Sequence, residues 1–200
     1  MKKKIYILVN GILNFPGDAK DWNALGVTFI HLAGAGMAEK LEYFCGPVSR
    51  AFGQDHRANK LADLIHQYAD AGFEIVLVGH SNGCDVILDS LKQLMWPVVS
   101  ELHLFSGACE ADYNKNGLNK AIQEKTVGKV FVYVAGKDVW LRAANCFAGR
   151  LLGYGVLGLN GPLNATNIAA TQVITEPDYG HSTWWEPMNF QRSLNRVLGE

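Results

Sequence analysis

Short apolar runs rich in β-formers alternate with helical stretches along a chain of 200 residues. That alternation restricts the fold more than any other feature. Ile5–Val9 is such a run, bounded by Asn10-Gly11. Trp22, Leu25, Phe29 and Leu32, spaced by three and four, predict a helix over Asp18–Leu32. A short strand is expected over Leu41–Cys45, and an amphipathic helix over Arg57–Ala71, closed by Gly72. Phe73–Val78 is the strongest strand, with a helix over Asn82–Met95 directly after it. Leu102–Phe105, Val130–Ala135 and Gln172–Thr175 read as further strands, with helices near Leu118–Glu124 and over Trp140–Leu152. The chain closes on a helix over Trp184–Leu198, with Met188, Arg192 and Arg196 on one side. Strands separated by helices of this length need right-handed crossovers. The expected fold is an open α/β sandwich of three layers, a mostly parallel sheet of about six strands with helices on both faces.

No repeat or low-complexity linker interrupts the pattern, so residues 1–200 are expected to form one domain. The exception to ordinary loop length is Gly149–Asn167, which carries Gly149, Gly153, Gly155, Gly158 and Gly161-Pro162. A connection that long is either functional, as a lid, or a structural wrap. It also holds five of the chain's 21 glycines, a residue that averages about 7% of sequences.

Composition removes several classes of function. Eighteen basic against 19 acidic residues leave a net charge of −1, which does not suit a nucleic-acid protein that must displace counterions from phosphates. Hydrophobic residues make up 48% of the chain, too many for disorder. No apolar run reaches the roughly 18 residues of a membrane span. Met1-Lys2-Lys3-Lys4 before Ile5–Val9 mimics a signal peptide, but Asn10-Gly11 breaks the run and no small-x-small cleavage site follows. The four cysteines, Cys45, Cys84, Cys109 and Cys146, show no C-x-x-C spacing. Neither a zinc site nor a disulfide framework fits them; buried free thiols in a cytoplasmic protein do.

The chemistry centres on Gly79-His80-Ser81-Asn82-Gly83, a G-x-S-x-G pentapeptide. It follows an apolar strand and opens a helix, so Ser81 sits on a sharp turn whose flanking positions have no room for a Cβ. A serine needs a base, and the base needs an acid to orient it. His181, in the loop between the last strand and the last helix, is placed to serve as base. His31, His66 and His103 fall within helices or strands, His56 precedes a helix, and His80 is expected to point away from the site. Asp138, just past the strand ending at Ala135, is the favoured acid; Asp112 is its rival, and Asp178 lies too close to His181 in sequence. An oxyanion would be held by the N–H of Asn82 and by the turn Asn10-Gly11-Ile12, with Ile12 as donor and Gly11 allowing close approach of substrate. Trp184-Trp185, with Leu151-Leu152 and Val156-Leu157, form either an apolar acyl pocket or part of the core; Trp184 is the expected substrate contact.

Taken in chain order, Ser81, Asp138 and His181 resemble the α/β-hydrolase superfamily, and the strand–elbow–helix context matches over nearly the whole chain. The resemblance implies a nucleophile after the central strand, an acid after a later one and a histidine after the last. It is that of a minimal member, without the two antiparallel strands that open larger ones. Val132-Tyr133-Val134, Asp138 and Leu157-Gly158-x-x-Gly161-Pro162 are similar to uncharacterised esterase/lipase-like hydrolases. Where the superfamily often has His-Gly at the oxyanion turn, this chain has Asn10-Gly11. The expected activity is hydrolysis of a small carboxylic ester or thioester through an acyl-enzyme, with no metal or cofactor, no nucleic acid and no integral membrane association. The other reading is a non-catalytic scaffold of the same fold.

Overall fold

A computed structural model of the chain describes residues 3–12, 21–43, 49–94, 96, 99–146 and 154–199. Six strands form one sheet: β1 (Lys4–Val9), β2 (Met37–Leu41), β3 (Glu74–His80), β4 (Val99–Phe105), β5 (Val127–Ala135) and β6 (Thr171–Glu176). Their order is β2-β1-β3-β4-β5-β6, and every neighbouring pair is parallel. Parallel pairing forces each connection to cross over a face. The crossovers carry α1 (Trp22–Leu32), α2 (Ser49–Asp70), α3 (Asn82–Leu91), α4 (Tyr113–Asn116), α5 (Leu118–Gln123) and α6 (Val139–Ala144). A short helix over Leu157–Asn160 and a C-terminal helix over Pro187–Leu198 complete the described helices.

Alternation along the strands feeds two cores. Ile5, Ile7 and Val9 point to the face covered by α2 and α3, with Leu61, Ile65 and Ile87. Tyr6 and Leu8 point to the other face, with Trp22, Ile30, Trp184 and Val197. Strands buried on both faces read as continuous apolar runs rather than alternating ones, which is why they stand out in the sequence.

Some boundaries move. The second strand is Met37–Leu41, not Leu41–Cys45; Ala38, Glu39 and Lys40 are only half-buried at the sheet edge, so no apolar run marks it. Residues 44–48 lie outside the described set. Helix α2 begins at Ser49, eight residues before the expected Arg57. Helix α6 stops at Ala144, and the expected extension to Leu152 runs into residues 147–153, which are not described. The last helix starts at Pro187 rather than Trp184, because Pro sets the helical φ at its first position and Thr183–Trp185 form a separate 3-10 turn.

Of the glycine-rich segment, residues 154–167 are described. Leu157 is fully buried, and the N–H groups of Gly155, Leu157 and Gly158 donate to the carbonyls of Ala108, Cys109 and Gly107. A Cβ on Gly158 would lie 2.2 Å from Gly107 N and from Ser106 C, so this stretch packs directly on the chain leaving β4. Gly158→Ala is expected to lower stability by about 1–3 kcal/mol, read from urea denaturation. A change within experimental error would show that the contact yields freely.

Candidate active site

The sheet order reverses between β1 and β3: the chain passes outward from β1 to β2, then returns to build β3 to β6 on the other side. Crevices at such reversals, beyond the carboxyl ends of the strands, are where parallel sheets bind ligands. Val9 and Gly79 stand side by side there.

Ser81 leaves β3 at φ 56° and ψ −123°, backbone that costs an L-residue about 1–3 kcal/mol. Three backbone hydrogen bonds hold it. Its N–H donates to Phe105 O at 3.0 Å, and its carbonyl accepts from Cys84 N–H at 3.2 Å and Ala108 N–H at 3.1 Å. A Cβ at Gly83 would lie 2.2 Å from Val9 O, and one at Gly79 would lie 2.8 Å from Ile87 Cδ1. The Gly83 position therefore needs glycine because fixed backbone fills the space, while Gly79 sits in tight contact with α3, with Cys84 N at 3.0 Å from such a Cβ.

The turn after β1 lies against this serine. A Cβ on Gly11 would come within 2.9 Å of Ser81 Cβ and 3.2 Å of its Oγ. The Asn10 side chain shapes the turn: its Oδ1 accepts from Gly11 N–H at 2.7 Å and from Trp22 Nε1–H at 2.8 Å. Its Nδ2 donates to Asp21 Oδ1 at 2.5 Å. The Gly11 N–H is thus engaged internally, which leaves Ile12 as the next donor along the turn. Gly11, Ile12 and Ser81 all line one cavity of about 830 Å³. Asn82 is fully buried and opens α3.

Asp138 is fully buried at the end of β5. Its Oδ1 caps α6 by accepting Leu141 N–H at 2.9 Å, and its Oδ2 accepts His181 Nδ1–H at 2.6 Å. Asp112 is occupied elsewhere: it caps α4 through Asn114 N–H at 2.9 Å and accepts Asn164 Nδ2–H at 3.1 Å. Asp178 pairs at the surface with Lys137 at 2.6 Å. In a neutral imidazole, an Nδ1–H on the carboxylate leaves the lone pair on Nε2. His181 and Ser81 line the same cavity, and no direct hydrogen bond joins them.

Two aromatic placements correct the sequence reading. Trp184 is fully buried in the core, its Nε1–H donating to Ser106 Oγ at 3.0 Å, and it does not line the cavity. Trp185 takes that place instead, stacked on Trp22 with centroids 4.0 Å apart. Successive residues of a 3-10 turn point about 120° apart, so of these two neighbours in the Thr183–Trp185 turn one enters the core and the other faces the cavity. His80, expected to point away, lies on the cavity wall beside His181, with ring centroids 5.0 Å apart. Nothing in the spacing of the pentapeptide announced this. Cys84 and Cys109 are buried and in no disulfide, whereas Cys146 is exposed just after α6; Cys45 is not described. Among the described residues, no group of three or more His, Cys, Asp or Glu could hold a metal ion, and no helix is long and apolar enough to cross a membrane.

Backbone comparison places the architecture. A Xanthomonas campestris pv. campestris protein assigned to the alpha/beta hydrolase superfamily is similar, with TM-score 0.60 and 14% identity, covering 98% of this chain and 97% of that one. This chain has the alpha/beta-hydrolase fold. The NocB thioesterase domain, solved as a covalent complex with a fluorophosphonate nocardicin G analog, shares it at TM-score 0.52 and 15% identity, over 98% and 95% of the two chains. So does the N-formylmaleamic acid deformylase of Pseudomonas putida S16, at TM-score 0.51 and 12% identity, over 96% and 92%. No family model matches the sequence, and no curated protein matches it either. The fold is thus carried by strand order and turn geometry rather than by residue identity.

Burial pushes the His80 imidazole down to about 3 from 6.5, with the neighbouring His181 adding to the effect. Below pH 6.5 the unfolded chain gains a proton that folded His80 refuses until about pH 3. Stability therefore falls as pH falls through that window. His103, also buried, is lowered too and adds in the same direction. His80→Gln is expected to flatten the fall in unfolding free energy by on the order of 1 kcal/mol per pH unit. Urea titrations at several pH values measure this, and an unaltered slope would contradict it.

Proposed function

We propose that the chain is a serine hydrolase that cleaves a carboxylic ester or thioester through an acyl-enzyme. The observation that carries the reading is the 2.6 Å His181–Asp138 hydrogen bond, made at the rim of the cavity that Ser81 also lines. Ser81 Oγ attacks the carbonyl carbon while His181 Nε2 takes its proton. Asp138 fixes the imidazole tautomer and stabilises the imidazolium that forms. The N–H groups of Ile12 and Asn82 receive the oxyanion, the second from the N-terminus of α3. His181 then passes the proton to the departing alcohol or thiol. Water enters, gives its proton to His181 Nε2 and attacks the acyl carbonyl; the carboxylic acid leaves and Ser81 regains its proton.

Cavity chemistry supports a small, uncharged substrate. Trp22, Trp140, Leu141, Tyr154 and Trp185 supply apolar and aromatic walls. Asp21 and Glu186 are the charged side chains among its described lining residues, and both are carboxylates that repel an anionic acyl group. The thioesterase and deformylase among the similar structures are in keeping with hydrolysis on this scaffold. Cys84 and Cys109, buried and in no disulfide, fit a cytoplasmic setting.

Hydrolysis of short p-nitrophenyl esters tests the reading. Ser81→Ala is expected to abolish turnover above background. Asp138→Asn should lower kcat by up to about 10⁴-fold by favouring the wrong tautomer. Equal rates for wild type and both variants would overturn the reading and favour a binding scaffold.

A further inference from the structure

We propose that His80 is a positioning residue for the base, its Nε2–H holding the His181 main chain so that the His181 ring stays on Asp138. This rests on the reading of His181 as the base. His80 Nε2 lies 2.9 Å from His181 O. A carbonyl oxygen only accepts, so Nε2 must carry the hydrogen. The ring is neutral, since its protonated form is disfavoured by burial and by the adjacent His181. One residue thereby joins the two turns that must cooperate: its main chain belongs to the elbow beside Ser81, and its side chain grips the loop that carries His181.

The grip is braced by aromatic contacts. Trp22 and Trp185 each meet the His80 ring edge-on, with centroids at 6.2 and 5.9 Å and interplanar angles of 81° and 86°. They also stack on one another. Trp22 reaches in turn to Asn10 Oδ1, which holds the oxyanion turn. A continuous unit therefore runs from the turn after β1, through Trp22 and His80, to the loop carrying His181 and Trp185. The His181 carbonyl lies in the 180–182 stretch ahead of the 3-10 turn; Gly180 N–H donates to Thr183 Oγ1 within the same loop, whereas the Asp138 and His80 contacts hold the stretch from other elements. Loops position such rings poorly unless something outside the loop holds them.

The test uses two readouts on the whole protein. The first is kcat and KM for a p-nitrophenyl ester. The second is the strongly deshielded proton NMR signal of the His181 Nδ1–H on Asp138, assigned by its loss in His181→Ala. His80→Phe keeps a ring against Trp22 and Trp185 but has no donor. It is expected to lower kcat at least tenfold with KM within about twofold, and to broaden the NMR signal into the baseline. His80→Gln, whose amide can donate, should restore both in large part. His80→Met replaces the Phe variant if circular dichroism shows that variant unfolded. A sharp signal and kcat within twofold of wild type in the donorless variant would overturn the proposal, as would a Gln variant no better than Phe. If wild type hydrolyses no ester, the serine hydrolase reading has failed on its own, and the NMR comparison still decides whether His80 holds the His181 ring.

Discussion

Everything at this site depends on Ser81 being held in a backbone conformation that an L-residue avoids. Its φ of 56° would relax in an isolated turn. Here the N–H is tied to the end of β4 through Phe105 O, and the carbonyl is tied to Cys84 in α3 and Ala108 beyond β4. Helix α3, which follows directly, and the chain leaving β4, distant in sequence, must therefore both be in place before the serine can stand over the sheet. The two flanking glycines let α3 and the β1 end close on that turn, since Val9 O would be 2.2 Å from any Cβ at Gly83. The strain at Ser81 is small beside the burial of the two cores that frame it, and so it persists.

The same economy of space governs the charged group. Asp138 is fully buried, and an isolated carboxylate there would be costly. Both of its oxygens are satisfied, one by a helix N–H and one by His181. The helix cap fixes the carboxylate before any substrate arrives, and the carboxylate fixes which imidazole nitrogen is basic. A structural feature of α6 and a chemical feature of His181 are thus one arrangement. Since β1, β3 and β5 all end on the same side of a parallel sheet, the turn after β1, Ser81 and Asp138 share one rim without any long-range adjustment.

Much of this was legible in the residues. Doubly buried strands are conspicuous as apolar runs, so β1, β3, β4 and β5 are plain, as is the crossover logic that makes the sheet parallel. The pentapeptide, Asp138 and His181 follow from chemistry and from their places after strands. What escaped was set by tertiary contact. β2 is an edge strand carrying Glu39 and Lys40, so its pattern is too weak to locate. Trp184 and Trp185 are chemically alike, and only the 3-10 turn ahead of Pro187 decides which is buried. His80 and Asn10 lie within the motifs, but their side-chain contacts are to partners 101 and 11 residues away, respectively. Pro187 did offer a signal, because proline marks the first turn of a helix far more often than its interior.

The central claim is that Ser81 is an activated nucleophile in this cavity. A fluorophosphonate probe tests it most directly, since it forms a covalent phosphonyl adduct with an activated serine hydroxyl and expels fluoride. Intact-mass and peptide mass spectrometry should show one adduct per chain, located on Ser81, with labelling slowed sharply in His181→Ala and absent in Ser81→Ala. Labelling of wild type no faster than of Ser81→Ala would contradict the account.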